Sequence, residues 1–392
     1  MDLLGLLRLA VELGASDIHL KTGRTPVVRR DGDLQELEGW PTLDAADLDA
    51  VLVMVAIPEK IEAFCTTGDL DVAFQSEGLP RFRVNAFRQR GTTSFAFRVI
   101  PALVPDFAQL GLPPGVERLA SESRGLVLVT GATGSGKTTT LAAIVDHINR
   151  NHRHHIVTIE DPIEIVHEDK GCVVSQREVG LDTASFNEAL RRALRQDPDV
   201  ILIGELRDAE TAQIALQAAE SGHLVLSTLH TIDAAETCGR LIEFFPPEKQ
   251  KVIQSILAGV LRGVVSQRLL PRVDGGRVAA IEVMVTNARI ADLIREGRAD
   301  EITDAVAEGE FFQMQTFTQA LIDLVLAGRV ERELAANAAT NRHDFLVALE
   351  RSEKLRAAEQ AAAAPEPLPV PEIEVPVPDE AAPTGLRLVP AE

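Results

Sequence analysis

Cysteine is scarce in this chain: Cys65, Cys172 and Cys238 stand far apart in 392 residues. Such spacing offers neither a disulfide framework nor the paired thiols of a zinc site, and it suits a reducing compartment. Long hydrophobic runs are missing too. No stretch of about eighteen apolar residues occurs, so nothing reads as a bilayer span. The opening MDLLGLLRLAVELGAS has no basic n-region and is interrupted by Arg8 and Glu12, which predicts an amphipathic helix and not a signal peptide. Basic residues are outnumbered, with 39 Lys and Arg against 59 Asp and Glu and a formal charge of −20. Residues 357–392 carry seven acidic residues and one basic, so −14 remains on the rest. An acidic surface argues against non-specific binding of nucleic acid, which runs on neutralised phosphates. These absences together predict a cytoplasmic protein with no transmembrane segment and no nucleic-acid partner.

What is present centres on residues 125–140, GLVLVTGATGSGKTTT. Leu126–Val129 is wholly apolar, as expected of a strand buried on both faces of a parallel sheet. It opens into Gly131-Ala132-Thr133-Gly134-Ser135-Gly136-Lys137-Thr138, the G-x-x-x-x-G-K-[ST] phosphate loop. Its glycines let backbone N–H groups curl around a polyphosphate. Lys137 suits the β- and γ-phosphates, and the Thr138 hydroxyl suits Mg²⁺. A helix from Thr139 to about Asn149 adds its positive end. This pattern predicts binding of ATP or GTP.

The length allows two or three domains. Residues 1–100 read as a small α+β domain: an opening helix, a strand near Ile18, a hairpin from Pro26, two helices at 44–55 and 58–64, then strands at 71–74, 82–89 and 93–99. The last strands carry Arg81, Arg83, Arg88, Arg90 and Arg98. Alternation sets Arg81 and Arg83 opposite Phe82 and Val84. Two readings stand, a solvated face or an anion-binding face aimed at a nucleotide. Residues 101–116, with four prolines in PALVPDFAQLGLPP, read as a linker. From 117 to 356 apolar runs alternate with helical patterns, as in a doubly wound α/β domain, ending in helices. The strands expected there are 126–130, 155–159, 172–175, 200–203, 224–228 and 278–285. Residues 357–392, rich in Pro and Ala, cannot bury enough apolar surface to offset ordering and read as a disordered acidic tail.

Three apolar runs end in polar groups. HIVTIEDPIE (155–164) closes on Glu160, Asp161 and Glu164, which read either as acids near a γ-phosphate or as helix caps. DPDVILIGE (197–205) resembles a Walker B strand with Gly204-Glu205 in place of the usual aspartate. GHLVLSTLHT (222–231) brackets a strand with His223 and His230, either core histidines or γ-phosphate sensors. FNEALRRALR (186–195) reads as an amphipathic helix with Arg191 and Arg195 one turn apart.

Taken together these segments resemble the secretion ATPase superfamily, and most closely the type IV pilus retraction ATPases, from about Leu7 to Gly328. GASDIHL, RFRVNAFRQRG, TIEDPIEIVH, LRQDPDVILIGELRD and GHLVLSTLHT carry the match. No cysteine follows Cys238, which is unlike the zinc-bearing extension branch. The resemblance implies a RecA-like α/β ATPase domain, a PAS-like N-terminal domain and a helical C-terminal part. Glu164 would be the catalytic glutamate, Glu205 the Walker B acid binding Mg²⁺ with Thr138, and His223 and His230 the His-box pair. Arg83 and Arg98, with Arg191 and Arg195, would contact the ATP along with the loop residues through Thr139. It further implies a homohexamer docked on an inner-membrane pilus platform protein, at the inner face of the cytoplasmic membrane, with a paralogous retraction ATPase as a further partner or as the alternative role. LIREG (293–297) is similar to the retraction motif, and MQTF (314–317) also occurs in the accessory paralogue.

One consequence is open to direct assay. Removing residues 357–392 is expected to leave steady-state nucleotide hydrolysis unchanged, and a large loss of rate would show that the acidic segment takes part in turnover.

Overall fold

A computed structural model describes residues 1–30, 32–100 and 104–363. The start of the linker and most of the acidic segment lie outside these residues. Six strands build a first sheet: β1 (Asp17–Lys21), β2 (Val27–Arg30), β3 (Asp33–Glu36), β4 (Asp69–Phe74), β5 (Phe82–Gln89) and β6 (Thr92–Val99). They run in the order β3-β2-β1-β6-β5-β4, and every pair is antiparallel. Alternation decides what each face meets. Phe82, Val84 and Ala86 are buried with Phe95, Phe97 and the helices Leu3–Glu12 and Ala45–Val55, while Arg83 and Arg98 point the other way and Arg88, on the core side, lies over the Phe64 ring at 5.7 Å. Asp44 caps the second helix through a reciprocal bond with Asp47, which fixes its start one residue later than the sequence suggests.

The second sheet has seven strands: β7 (Gly125–Thr130), β8 (His155–Glu160), β9 (Val173–Glu178), β10 (Val200–Ile203), β11 (Leu224–Leu229), β12 (Leu261–Pro271) and β13 (Arg277–Val285). Their order is β13-β12-β7-β11-β10-β8-β9, parallel from β12 through β9, with β13 antiparallel at one edge. Strands β7, β10 and β11 are buried at every position, which is why each is built around an apolar run, with the hydroxyls of Ser227 and Thr228 in β11 bonded to the carbonyls of Ile203 and Gly204. Helices capped by Ser185, Asp208 and Asp233 cover the faces. Asp208 caps its helix by accepting from the Thr211 N–H at 2.8 Å.

The sequence pattern misses β12. Leu261–Pro271 follows the helix Pro247–Val260 without an intervening turn, so the apolar run of the strand merges with that of the helix. Only pairing with β7 on one side and β13 on the other makes it extended. The C-terminal helices pack a separate core around Phe317, Leu321, Phe345 and Leu349. The last helix, Arg342–Ala363, runs past residue 357, where the tail is expected to start.

Close approach at one glycine gives a test of this packing. A Cβ on Gly263 in β12 would lie 2.4 Å from the Met284 carbonyl oxygen and 2.6 Å from Leu119. Gly263→Ala is expected to cost ~1–3 kcal/mol, read as a lowered urea midpoint with an unchanged slope.

Candidate functional site

Four neighbouring strands deliver the site. In the order β7, β11, β10, β8 they lie side by side and parallel, so their carboxyl ends share one edge of the sheet, where open α/β sheets bind ligands. The phosphate loop leaves β7, His230 follows β11, Glu205 follows β10, and Glu164 follows β8.

The loop is shaped by its glycines and by β12. Gly131 has φ +141°, and a Cβ there would meet the Gln267 carbonyl oxygen and the Ser135 hydroxyl, each at 2.5 Å. Gln267 also donates its side-chain amide to Thr140 Oγ1 at 2.8 Å, and Thr130 donates to Ser266 at 2.9 Å. These bonds tie the loop's base and the following helix to the neighbouring strand. That helix begins at Lys137, two residues before the expected Thr139, with Gly136 in the left-handed region as its cap. Ala132, Thr133, Gly134 and Thr138 are exposed, Thr139 is half-buried, and Ser135 is buried. The Ser135 hydroxyl is inaccessible and has no hydrogen-bond partner among the described residues, an unmet polar group inside a cradle shaped for anions.

Lys137 joins the loop to the acids. Its ammonium donates to the carbonyls of Gly131 at 2.8 Å and Ala132 at 3.1 Å, and lies 3.4 Å from His230 Nδ1. His230 Nε2 lies 3.2 Å from Glu205 Oε1. Lys137 as donor and Glu205 as acceptor fit a neutral ring protonated on Nε2. Burial holds the Lys137 pKa below its usual value, while the carboxylates of Glu205 and Glu164 pull it up. Both acids therefore sit within electrostatic reach of the ammonium. Arg207 donates from Nε to the other Glu205 oxygen at 2.9 Å. The sequence pattern gives Arg207 no more than a surface role, because nothing in spacing alone tells which way a side chain two positions after Glu205 will turn.

The three acids of β8 part company. Glu160 is half-buried, accepts from Thr158 at 2.6 Å and Gln176 at 3.1 Å, and has its pKa raised by desolvation. It is a structural acid within the sheet. Asp161 is exposed and precedes a cis peptide bond to Pro162. Glu164 stands partly exposed with Arg83 Nη1 at 3.6 Å. The arginine-bearing face of the first sheet therefore packs toward the phosphate-loop domain of the same chain. Arg98 is the cross-strand partner of Arg83 and pairs with Asp17 at 2.9 Å.

Two expectations need correction. His223 precedes β11, and its backbone carbonyl accepts from Gly125 at the start of β7. Six residues of extended chain, ~20 Å, separate it from the phosphate loop, and its ring is held by Ser221 and Ala218 at 3.0 Å each. Within one chain it therefore stands at the opposite end of β11 from the phosphate loop. Arg191 and Arg195 do not share a helix face either. The helix Phe186–Ala193 stops short of Arg195 because the chain turns there, with Asp197 at positive φ ahead of Pro198. Arg191 pairs with Glu210 at 2.8 Å, and Arg195 is exposed past the helix end.

No group of three metal-ligating side chains is preassembled among the described residues. A divalent ion accompanying a nucleotide nevertheless fits, because Thr138 is exposed in the first turn of the helix and Glu205 supplies a carboxylate on the same edge, leaving phosphate oxygens to complete the ligand set.

Comparison with known proteins gives a consistent picture. The family model described as Type II/IV secretion system protein matches residues 3–343. The chain is 45% identical over 345 residues to the type IV pilus retraction ATPase PilT of Pseudomonas aeruginosa, covering 88% of this chain and 100% of that protein. It is 40% identical over 346 residues to the type IV pilus ATPase PilU of the same organism, covering 88% and 90%. The crystal structure of the pilus retraction motor PilT with bound ADP superposes with a TM-score of 0.83 at 44% identity, covering 88% of this chain and 98% of that one.

The cradle is testable without turnover. Gly131→Ala places a methyl group against Gln267 and Ser135, and the clash of ~1–3 kcal/mol is expected to weaken nucleotide affinity about tenfold or more, read by titration with a fluorescent ATP analogue.

Proposed function

The chain belongs to the Type II/IV secretion system protein family, and from that premise we propose that it is an ATP-hydrolysing motor that powers retraction of type IV pili. The observation that carries the reading is the line from Lys137 through His230 to Glu205, set at the carboxyl ends of three adjacent strands in a PilT-like fold. The loop from Gly131 to Thr139 holds the ATP phosphates through backbone N–H groups and Lys137. Thr138 and Glu205 hold Mg²⁺, which when bound offsets phosphate charge and orients the γ-phosphate. Glu164 orients the attacking water. His230 ties the Glu205 carboxylate to Lys137 and thereby reports whether the γ-phosphate position is filled. The exposed guanidinium groups of Arg83, Arg98, Arg191 and Arg195 are available to neutralise transition-state charge, those of the first sheet either in their own chain or across a subunit boundary.

Such a device gains force from assembly. In a homohexamer, nucleotide held between domains or between neighbours makes ring shape depend on nucleotide state. The motor acts from the cytoplasm on an inner-membrane platform protein; no helix among the described residues is long and apolar enough to cross a membrane. Its likeness to PilU gives the second reading, an accessory ATPase working beside a separate retraction motor.

Deleting the gene and scoring twitching with surface piliation separates these readings. Hyperpiliated cells that do not twitch are expected. Bald cells would assign an extension role, and cells that still twitch would favour the accessory one. In the purified enzyme, Lys137→Ala and Glu164→Ala are each expected to lower turnover by on the order of 10²-fold or more.

A further inference from the structure

Arg81 makes the most buried ionic contact between the arginine-bearing sheet and the phosphate-loop domain. It stands immediately before β5, with its backbone carbonyl accepting from Ile100 at 2.9 Å. Its guanidinium donates from Nε to the Ile163 carbonyl at 3.0 Å and from Nη2 to Glu178 Oε2 at 2.6 Å. That same Glu178 oxygen accepts the backbone N–H of Ile163 at 3.2 Å. One ion pair therefore holds both polar backbone groups of Ile163, the residue directly before Glu164. The pair is secluded, with side-chain exposures of 17% for Arg81 and 6% for Glu178. Glu178 is itself placed by the end of β9, where its N–H donates to Asp182 at 2.8 Å. Arg83, by contrast, is 40% exposed and approaches the Glu164 carboxylate only to 3.6 Å.

We propose that Arg81 is a positioning residue for Glu164: it clamps Ile163 together with Glu178, so that the catalytic carboxylate is correctly aimed only while the N-terminal sheet is docked. The inference rests on the reading of Glu164 as the residue that orients water. Undocking the sheet removes one partner of a buried pair, which leaves the Glu178 carboxylate uncompensated and the Ile163 carbonyl without its donor. Glu164 then projects from a loop that has lost its support on one side. Domain position and hydrolysis are coupled through one residue's backbone, without Arg81 touching the nucleotide.

The test uses the full-length enzyme and separates turnover from affinity. Arg81→Ala is expected to lower kcat by on the order of 10²-fold, the scale of a misplaced catalytic group, while the Kd for a fluorescent ATP analogue changes by less than about twofold. Glu178→Gln keeps an acceptor for the Ile163 N–H, removes the charge pair, and is expected to reduce kcat in the same manner. Arg81→Lys keeps the charge but offers its donors from one nitrogen in place of the two that reach Ile163 and Glu178, and is expected to recover stability and part of kcat. If Arg81→Ala does not fold, these two milder variants decide. Adding Arg81→Ala to Glu164→Gln is expected to slow the enzyme by less than about twofold, because residues acting as a unit are not additive. Full additivity, a tenfold loss of affinity at unchanged kcat, or unchanged kcat beside an inactive Glu164→Gln would each overturn the clamp. A Glu164→Gln enzyme at full rate would overturn the reading of Glu164 itself, a separate result.

Discussion

Parallel pairing of β7, β11, β10 and β8 is the constraint on which the rest depends. Registers such as Leu226 with Val127 and Leu202 bring the ends of the strands level. The segments that follow the strands then meet at one edge although they lie far apart in sequence. A parallel ladder also needs crossover helices on both faces, and the capped helices between strands supply them. Burial on both sides dictates the apolar composition of these strands, so the stabilising core and the alignment of the site are the same feature.

Polar groups sunk into this core extend its control to the phosphate loop. The bonds from Thr130 to Ser266 and from Gln267 to Thr140 link three elements below the phosphate loop. A half-buried carboxylate costs desolvation, and Glu160 offsets part of it through Thr158 and Gln176. The same accounting applies to Glu282, whose pKa burial pushes up to about 7 while it accepts the N–H of Ala234 at a helix start. Such groups specify where helices attach to the sheet, since a slipped helix would leave them unpaired.

The first sheet contributes in a different way. Its apolar face closes a core of its own, and Arg81 and Arg83 are left to face the phosphate-loop domain. Contacts there are few and ionic: Arg81 to Glu178 is well buried, and Arg83 to Glu164 is loose. The two domains keep separate apolar cores, so this interface is set by a small number of charged groups.

Much of the site was legible in the chain because its signals are local. A phosphate loop is a strand, a set of glycines and Lys137 within one short segment, and buried parallel strands announce themselves as apolar runs. Strand β12 was hidden, since a run shared between a helix and a strand carries no period of its own. The role of Arg207, the half-burial of Glu160, the displacement of His223 to the far end of β11 and the clamp on Ile163 were hidden as well. Each depends on which end of a strand a residue occupies, or on which partner a distant segment brings. By itself the sequence determined the class of fold, the nucleotide loop and the candidate acids, because covalent neighbours and periodicity encode them. Only the tertiary structure decided which of those groups meet, because strand order and domain docking set distances that spacing along the chain does not contain.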